Sequence, residues 1–378
     1  MTDNINIQLA SADQCTGCSV CASVCPTGSI SMKEDREGFL QPYIDIKSCI
    51  GCHKCEKTCP VITPIKIPTD FETQAYAAIN KDEAVRMRSS SGGMFHALAK
   101  WTIEQGGVVF GARFNDQWEV VHDYTETIEG IEPFMRSKYV QSRIGDTFKQ
   151  AKQFLEDGRQ VLFVGTPCQI GGLKAYIKKD YDNLLAVDFI CHGVPSPKVW
   201  REYLKEKVKG DKVLDVNFRD KRDGWKNFQC VTTTTREKQH ENLFFKGFIG
   251  NVYLRKSCYN CQFKEMHRIS DITLGDFWGI ENVNPEIDDD RGLSAVFVHT
   301  NKGEKAVNLL QTKIQVWPQK ICDIIACNSA MTNSVSMPKK RSRFYFYKHF
   351  LPMGKLTFTI DKDWLWVRMV RKIKKKMQ

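Results

Sequence analysis

The chain has 378 residues, 42% of them hydrophobic and 26% charged. That balance excludes disorder over most of its length and predicts two or three domains of roughly 100–200 residues each. The formal net charge of +11 is local: residues 339–378 hold thirteen Lys and Arg against two Asp, so the first 338 residues sum to about zero.

The opening Met1-Thr2-Asp3-Asn4-Ile5-Asn6 has no basic start and no apolar run, which argues against a secretory signal. No apolar run approaches the ~20 residues of a bilayer span. A cytoplasmic, reducing location is therefore expected. There, fifteen cysteines serve metal binding or redox chemistry rather than disulfides.

Eight of those cysteines fall between Cys15 and Cys59, in a stretch that repeats itself at an offset of 34 residues. Cys15, Cys18, Cys21 and Cys25-Pro26 form one Cys-x-x-Cys-x-x-Cys-x-x-x-Cys-Pro run, and Cys49, Cys52, Cys55 and Cys59-Pro60 form the other. Three thiolates at this spacing wrap the corners of one cubane, and the fourth reaches across to the other cluster. The spacing assigns Cys15, Cys18, Cys21 and Cys59 to one [4Fe–4S] cluster, and Cys49, Cys52, Cys55 and Cys25 to a second. Zinc sites do not use such runs. Between the copies, Ile30-Ser31-Met32 and Leu40 to Ile44 flank Asp35-Arg36-Glu37-Gly38 and predict a strand–turn–strand insert. Residues 1–62 are thus an α+β, ferredoxin-like dicluster domain.

Pro64 and Pro68 mark 63–73 as a linker. From 74 to 330 strands and helices alternate, which predicts a larger α/β domain with a mixed sheet. Ser91-Gly92-Gly93 opens a helix that ends at Gly106-Gly107, and Val108 to Gly111 follows as a strand. Asp146 to Asp157 is a helix stopped by Gly158, and Val161 to Val164 is a buried strand. Thr166-Pro167 and Ser196-Pro197 are helix starts on either side of a strand from Leu184 to Ile190. Val213 to Phe218, Phe228 to Thr235 and Asp271 to Leu274 add further strands.

Strand ends and helix starts of an α/β sheet are where ligands gather. Cys168 lies at one such corner, Cys191 at a strand end, and Cys258 and Cys261 form a Cys-x-x-Cys pair. A helix start at Cys168 favours a thiolate. The residues leave two readings open: a third cluster held by these four, or a Cys258–Cys261 redox dithiol. Cys230, Cys322 and Cys327 read as core or surface thiols. Ser89 to Gly93 can present N–H groups and hydroxyls to a phosphate. Arg136-Ser137-Lys138-Tyr139 combines a cation, a hydroxyl and an aromatic ring. Gly275-Asp276-Phe277-Trp278-Gly279 either walls a flat cofactor or plugs the core, and His192 stands beside Cys191 as a proton donor or a structural residue. Asp288-Asp289-Asp290 reads as a solvated loop. No Walker A run and no Gly-x-Gly-x-x-Gly fingerprint is present.

Six motifs in order carry a resemblance: Ser90 to Gly93, Ser137 to Ser142, Gly165 to Gln169, Cys191 to Ser196, Cys258 to Cys261 and Ser270 to Gly279. As a set, over about residues 10–330, they resemble the family of coenzyme F420 hydrogenase/dehydrogenase beta subunits. The layout with an N-terminal dicluster domain is similar to bacterial members found beside surface-polysaccharide genes. The resemblance implies FAD in the α/β domain, with Ser90, Ser91, Gly92, Gly93, Ser137, Lys138, Tyr139, Gln141, Thr166 and Trp278 as its binding residues. It also implies a third [4Fe–4S] cluster on Cys168, Cys191, Cys258 and Cys261, and His192 and Asp276 as catalytic residues. The implied activity is a flavin-dependent reductase fed by ferredoxin or a flavodoxin, acting on a small-molecule or glycan-related substrate. The alternatives are an electron-transfer subunit serving a partner enzyme and a thiol–disulfide reductase.

Residues 331–378 form a basic, aromatic tail outside the resemblance. Trp366, Met369, Val370, Ile373 and Met377 share one helical face of Asp363 to Gln378. That pattern fits a docked terminal helix or a peripheral contact with an anionic membrane. The neutral body and the lack of a recognised module argue against nucleic acid.

Overall fold

The computed structural model describes residues 6–67, 70–240, 243–356 and 360. The duplication seen in the sequence is repeated in the backbone. Gly17 and Ser19 take φ of 69° and 65°, and their counterparts Gly51 and His53 take 66° and 55°. The short helices α1 (Val20–Ser23) and α2 (Lys54–Thr58) then start at equivalent positions of the two runs. Between them β1 (Ile30–Glu34) and β2 (Leu40–Ile44) pair antiparallel. Their turn is closed by Asp35, whose carboxylate accepts from the N–H groups of Glu37 and Phe39.

The larger unit begins with β3 (Gln74–Asn80), α3 (Glu83–Arg88) and α4 (Met94–Glu104), followed by the hairpin β4 (Val108–Phe114) and β5 (Val120–Thr125). Next come α5 (Thr147–Glu156), β6 (Val161–Val164), α6 (Pro167–Ile177), β7 (Leu184–Phe189) and α7 (Pro197–Val208). The starts of α6 and α7 are as predicted. Thr166 and Gln169 form a reciprocal capping box around Pro167, and the Ser196 hydroxyl accepts from Val199 N–H at 3.2 Å. A separate antiparallel sheet follows, β8 (Val213–Asp220), β9 (Gln229–Thr234) and β10 (Lys238–His240) in the order β10-β9-β8. After it come α8 (Leu243–Ile249), β11 (Ile272–Asp276), β12 (Ser294–Val298), α9 (Asn301–Leu309), β13 (Ile314–Pro318), α10 (Ile321–Ala326) and α11 (Lys340–Lys348).

The main sheet has eight strands in the order β13-β3-β12-β11-β7-β6-β4-β5. Strands β4, β6, β7 and β11 run parallel, and antiparallel strands close both sides. The architecture is therefore a dicluster ferredoxin-like unit and a mixed-sheet α/β unit. One sheet face packs Leu98, Leu162, Val187 and Val296 under α4 and α9. The opposite face packs Phe110, Phe148, Phe163, Ile170 and Leu173 under α5 and α6, and this cluster also takes in Cys18 and Val20. The inner end of the dicluster unit is thereby built into the main core. A third cluster joins Trp200, Tyr203, Phe218, Phe244 and Tyr253 with Phe344 of α11.

Part of the segment read as a tail is thus core. Arg341, 4% exposed, pairs with Glu37 of the β1–β2 turn. The Asp363–Gln378 pattern lies outside the described residues. Asp288-Asp289-Asp290 is no free solvated loop: Asp288 pairs with Lys226, Asp289 takes both terminal nitrogens of Arg86, and Asp290 accepts from Lys226 N–H. No described helix is long and apolar enough to cross a membrane.

Candidate functional site

The strand ends decide where the site lies. The parallel strands β6, β7 and β11 run out at Val164, Phe189 and Asp276, and the residues just beyond them line a cavity of about 530 Å³. This lies in the usual range for small-molecule pockets and at the sheet end where they form. Gly165, Thr166, His192, Gly193, Asp276 and Trp278 come from those ends, and Ser89, Ser90, Ser91, Gly93 and the start of α4 close another side.

Two motifs 47 residues apart meet here: Ser137 N–H donates to Ser90 Oγ at 2.9 Å. The serine loop is pinned by its neighbours. Gly92 N–H donates to Ser294 Oγ at 3.0 Å, Ser91 Oγ donates to Leu293 C=O at 2.9 Å, and Asn80 N–H donates to Gly92 C=O at 2.7 Å. Lys221, 5% exposed, donates to the carbonyls of Arg86, Ser91 and Arg291. Burial pushes its ammonium pKa down to about 8.

Trp278 stacks on buried Trp225 at 4.5 Å and 6°, and still faces the cavity. Its neighbour Phe277 is the core plug. Arg219 of β8, 4% exposed, lies with its guanidinium 3.8 Å from the Phe228 ring. One terminal nitrogen reaches Tyr139 Oη at 3.2 Å and Asp276 Oδ2 at 2.7 Å, while Nε and Nη2 have no acceptor among the described residues. Burial works against its charge, but Tyr139 and Asp276 outweigh that and hold it protonated. His192 Nε2 donates to Asn251 Oδ1 over 2.7 Å, and burial pushes its pKa down.

Other predicted residues are placed differently. Lys138 lines the cavity, but its ammonium donates to the Pro133 and Met135 carbonyls, and burial lowers its pKa. Gln141 does not line the cavity. Its amide donates to Thr16 C=O at 2.9 Å and accepts from Arg255, at the dicluster boundary. Cys327, read as a plain core or surface thiol, is exposed and lines the cavity, while Cys230 is buried.

Next to this cavity is a smaller one of about 30 Å³, lined by Cys168, Cys191, Cys258 and Cys261 together with Thr16, Arg255, Lys264 and Arg268. Thr166, Cys191, Gly193 and Val194 line both cavities. The expected lowering of the Cys168 thiol by its helix start is not found: burial and then Cys261 push it up. Burial likewise pushes Cys191 and Cys258 to about 12. Thiols in this state bind a metal only by giving up their protons to it.

In the dicluster unit, Cys18 and Cys21 are both raised, by burial first and then by neighbours that include Cys15 and Cys59. Cys55 is raised by burial first, with smaller contributions from Glu56 and Cys52. Gly17 N–H donates to Cys15 Sγ at 3.4 Å. Among the described residues no three His, Cys, Asp or Glu converge on a single-ion point. A cubane makes no such demand, because each thiolate binds its own iron corner. The all-thiol donor sets fit such centres, and the large cavity, with a serine loop, aromatic walls and a buried guanidinium, fits a flat anionic cofactor.

The family described as the C terminus of the beta subunit of coenzyme F420 hydrogenase/dehydrogenase matches residues 158–323, and the 4Fe-4S dicluster domain matches residues 14–62. The chain is similar to one of the subunits of the F(420)H(2) dehydrogenase of Methanosarcina mazei, with 22% identity over 321 residues, 80% of this chain and 84% of that one. Its dicluster part is similar to a ferredoxin-like protein in the nif region of Rhizobium leguminosarum bv. trifolii, with 41% identity over 56 residues, 13% of this chain and 80% of that one. Among solved structures it is similar to a chain of the F420-reducing [NiFe] hydrogenase complex from Methanosarcina barkeri, at a TM-score of 0.46 and 16% identity, over 70% of this chain and 93% of that one.

Proposed function

We propose that this chain, which belongs to the family of coenzyme F420 hydrogenase/dehydrogenase beta subunits and carries a 4Fe–4S dicluster domain ahead of the family's region, is the electron-transfer subunit of a redox assembly and links iron–sulfur centres to a flavin. A flavin supplies the exchange between single electrons and electron pairs that such a link needs. The observation that carries this reading is the wall shared by the two cavities, Thr166, Cys191, Gly193 and Val194. A centre held by Cys168, Cys191, Cys258 and Cys261 then adjoins the larger cavity directly. On its other side, Cys18 approaches α6: a Cβ added at Gly172 would stand 3.1 Å from the Cys18 Cβ. The order is therefore outer cluster, inner cluster, third centre, flavin. Cys52 is exposed, whereas Cys18, Cys21 and Cys59 are buried, so the Cys49–Cys55 cluster is the end nearer the surface.

The remaining residues bind and orient. The serine loop and the start of α4 take the anionic part of the cofactor, Tyr139 and Trp278 wall its flat part, and Arg219 supplies positive charge held in place by Asp276. The Methanosarcina mazei relative is a subunit by name, and we read this chain as working with partner subunits too. A second reading, a self-contained reductase, draws on the same cavity, where His192 and Asp276 stand ready to handle a proton. Stopped-flow reduction by a one-electron donor tests the link. The iron–sulfur absorbance should bleach before the flavin, and Cys258→Ser should slow flavin reduction at least tenfold. Flavin reduction at an unchanged rate in that variant overturns the proposed route. Turnover of a substrate by the chain alone with a chemical reductant decides for the second reading.

A further inference from the structure

Arg255 is 1% exposed and stands between the two iron–sulfur units. Its Nε donates to Cys15 C=O at 2.6 Å, Nη1 to Gln141 Oε1 at 3.1 Å and Nη2 to Leu40 C=O at 2.9 Å. It also lines the four-cysteine cavity and acts on Cys258 as a nearby positive charge. The fit is tight. Gly17, at φ +69°, has no room for a side chain, because a Cβ there would stand 2.6 Å from Arg255 Nη1.

Every acceptor of this guanidinium is neutral. Among the described residues no carboxylate forms an ion pair with Arg255. Lys264, 9% exposed and lining the same cavity, donates to Ala330 C=O and likewise shows no carboxylate partner among the described residues. A buried cation without an anion is costly, and such charges are paired in stable folds. The anions available on both sides of Arg255 are the thiolate-held iron–sulfur centres. These carry net negative charge in either oxidation state and gain one more on reduction.

We infer that Arg255 is a positioning residue of the electron path, whose buried charge favours the reduced state of both the Cys15 centre and the Cys258 centre and keeps their potentials close enough for electrons to pass. This rests on the reading of Cys168, Cys191, Cys258 and Cys261 as ligands of a third centre.

EPR-monitored redox titration of the holoprotein, with iron analysis, tests it; the signal lost in Cys258→Ser marks the third centre. Arg255→Gln removes the charge, and Arg255→Lys keeps the charge while losing the three-way hydrogen bonding. With Arg255→Gln the reduced-to-oxidised ratio at fixed potential should fall at least tenfold, about 59 mV toward negative potential for a one-electron couple. Arg255→Lys should stay within about threefold of the parent. Loss of one cluster's iron in Arg255→Gln but not in Arg255→Lys supports the same role. Unchanged potentials in Arg255→Gln, equal shifts in both variants, or equal iron loss in both overturn it. Parent protein with about eight iron atoms refutes the third centre alone, and the shift of the Cys15 centre then still decides the role of Arg255.

Discussion

Replacing Gly92 by Ala tests the serine loop most sharply, because the structure leaves that position no room. A Cβ there would stand 2.3 Å from Ala78 O and 2.8 Å from Ser294 N, both backbone atoms in neighbouring strands. Ordinary contact begins near 3.4 Å, so the loop must retreat by roughly 1 Å. Overpacking of this kind costs about 1–3 kcal/mol, and the displaced loop loses at least one of its pinning hydrogen bonds, about 1 kcal/mol more. The expected destabilisation is thus about 2–4 kcal/mol. At ~2–4 °C per kcal/mol for a unit of this size, the melting temperature should fall by several degrees. The same retreat moves the serine hydroxyls from the cavity wall. Flavin should bind at least tenfold more weakly, which is about 1.4 kcal/mol. The assay is the flavin-to-protein ratio after gel filtration, read beside iron content and a thermal melt. Iron should stay at the parent level, since the atoms nearest an added Cβ belong to Ala78 and Ser294. Parent-level flavin and an unchanged melt would show that the loop neither packs nor binds as described.

Further expectations follow from the same geometry. Cys258→Ser should lower iron from about twelve to about eight atoms per chain, at four per cluster, measured by elemental analysis. Arg219→Ala leaves Asp276 without its guanidinium and exposes no replacement donor. It should cost about 3 kcal/mol in urea unfolding, whereas Asp276→Asn, which can still accept from Arg219, should cost less. His122 Nε2 donates to Val164 C=O and Nδ1 accepts from Ser142 Oγ, and burial pushes its pKa from 6.5 to about 4. The unfolded chain therefore takes up this proton first. The stability it contributes is complete above pH 6.5 and is lost as pH falls toward 4, by about 3 kcal/mol in all. Urea midpoints across that range should fall with pH, and His122→Gln should flatten the slope.

The sequence and the structure agree best where ligands are close along the chain. The repeated cysteine runs and the apolar stretches around Asp35-Arg36-Glu37-Gly38 make the duplication and the hairpin readable from the sequence, while the short helices after Gly17 and Gly51 come from the fold. The corners at Thr166-Pro167 and Ser196-Pro197 are equally local, because a cap and a proline act within one turn. What escaped was set by distant contacts. Arg219 sits in the charged run Arg219-Asp220-Lys221-Arg222-Asp223-Gly224, and its place at the cavity comes from Tyr139, Asp276 and Trp278 folding against it. Arg255 meets Cys15 across 240 residues of chain, and no local pattern signals that a cation there is buried. Gln141 belongs to a motif whose neighbours line the cavity, but its side chain turns to Thr16 instead. The antiparallel strands β3, β12 and β13 are likewise a tertiary result. Nothing in their spacing says that they extend a parallel sheet and hold the serine loop at its end.

The central question is whether electrons have an unbroken path from the dicluster unit to the large cavity. Anaerobic purification with iron, acid-labile sulfide and flavin counted on the same sample tests this directly. An unbroken path requires about twelve iron atoms, as many sulfides and one flavin per chain. A protein with about eight iron atoms and no flavin would contradict it.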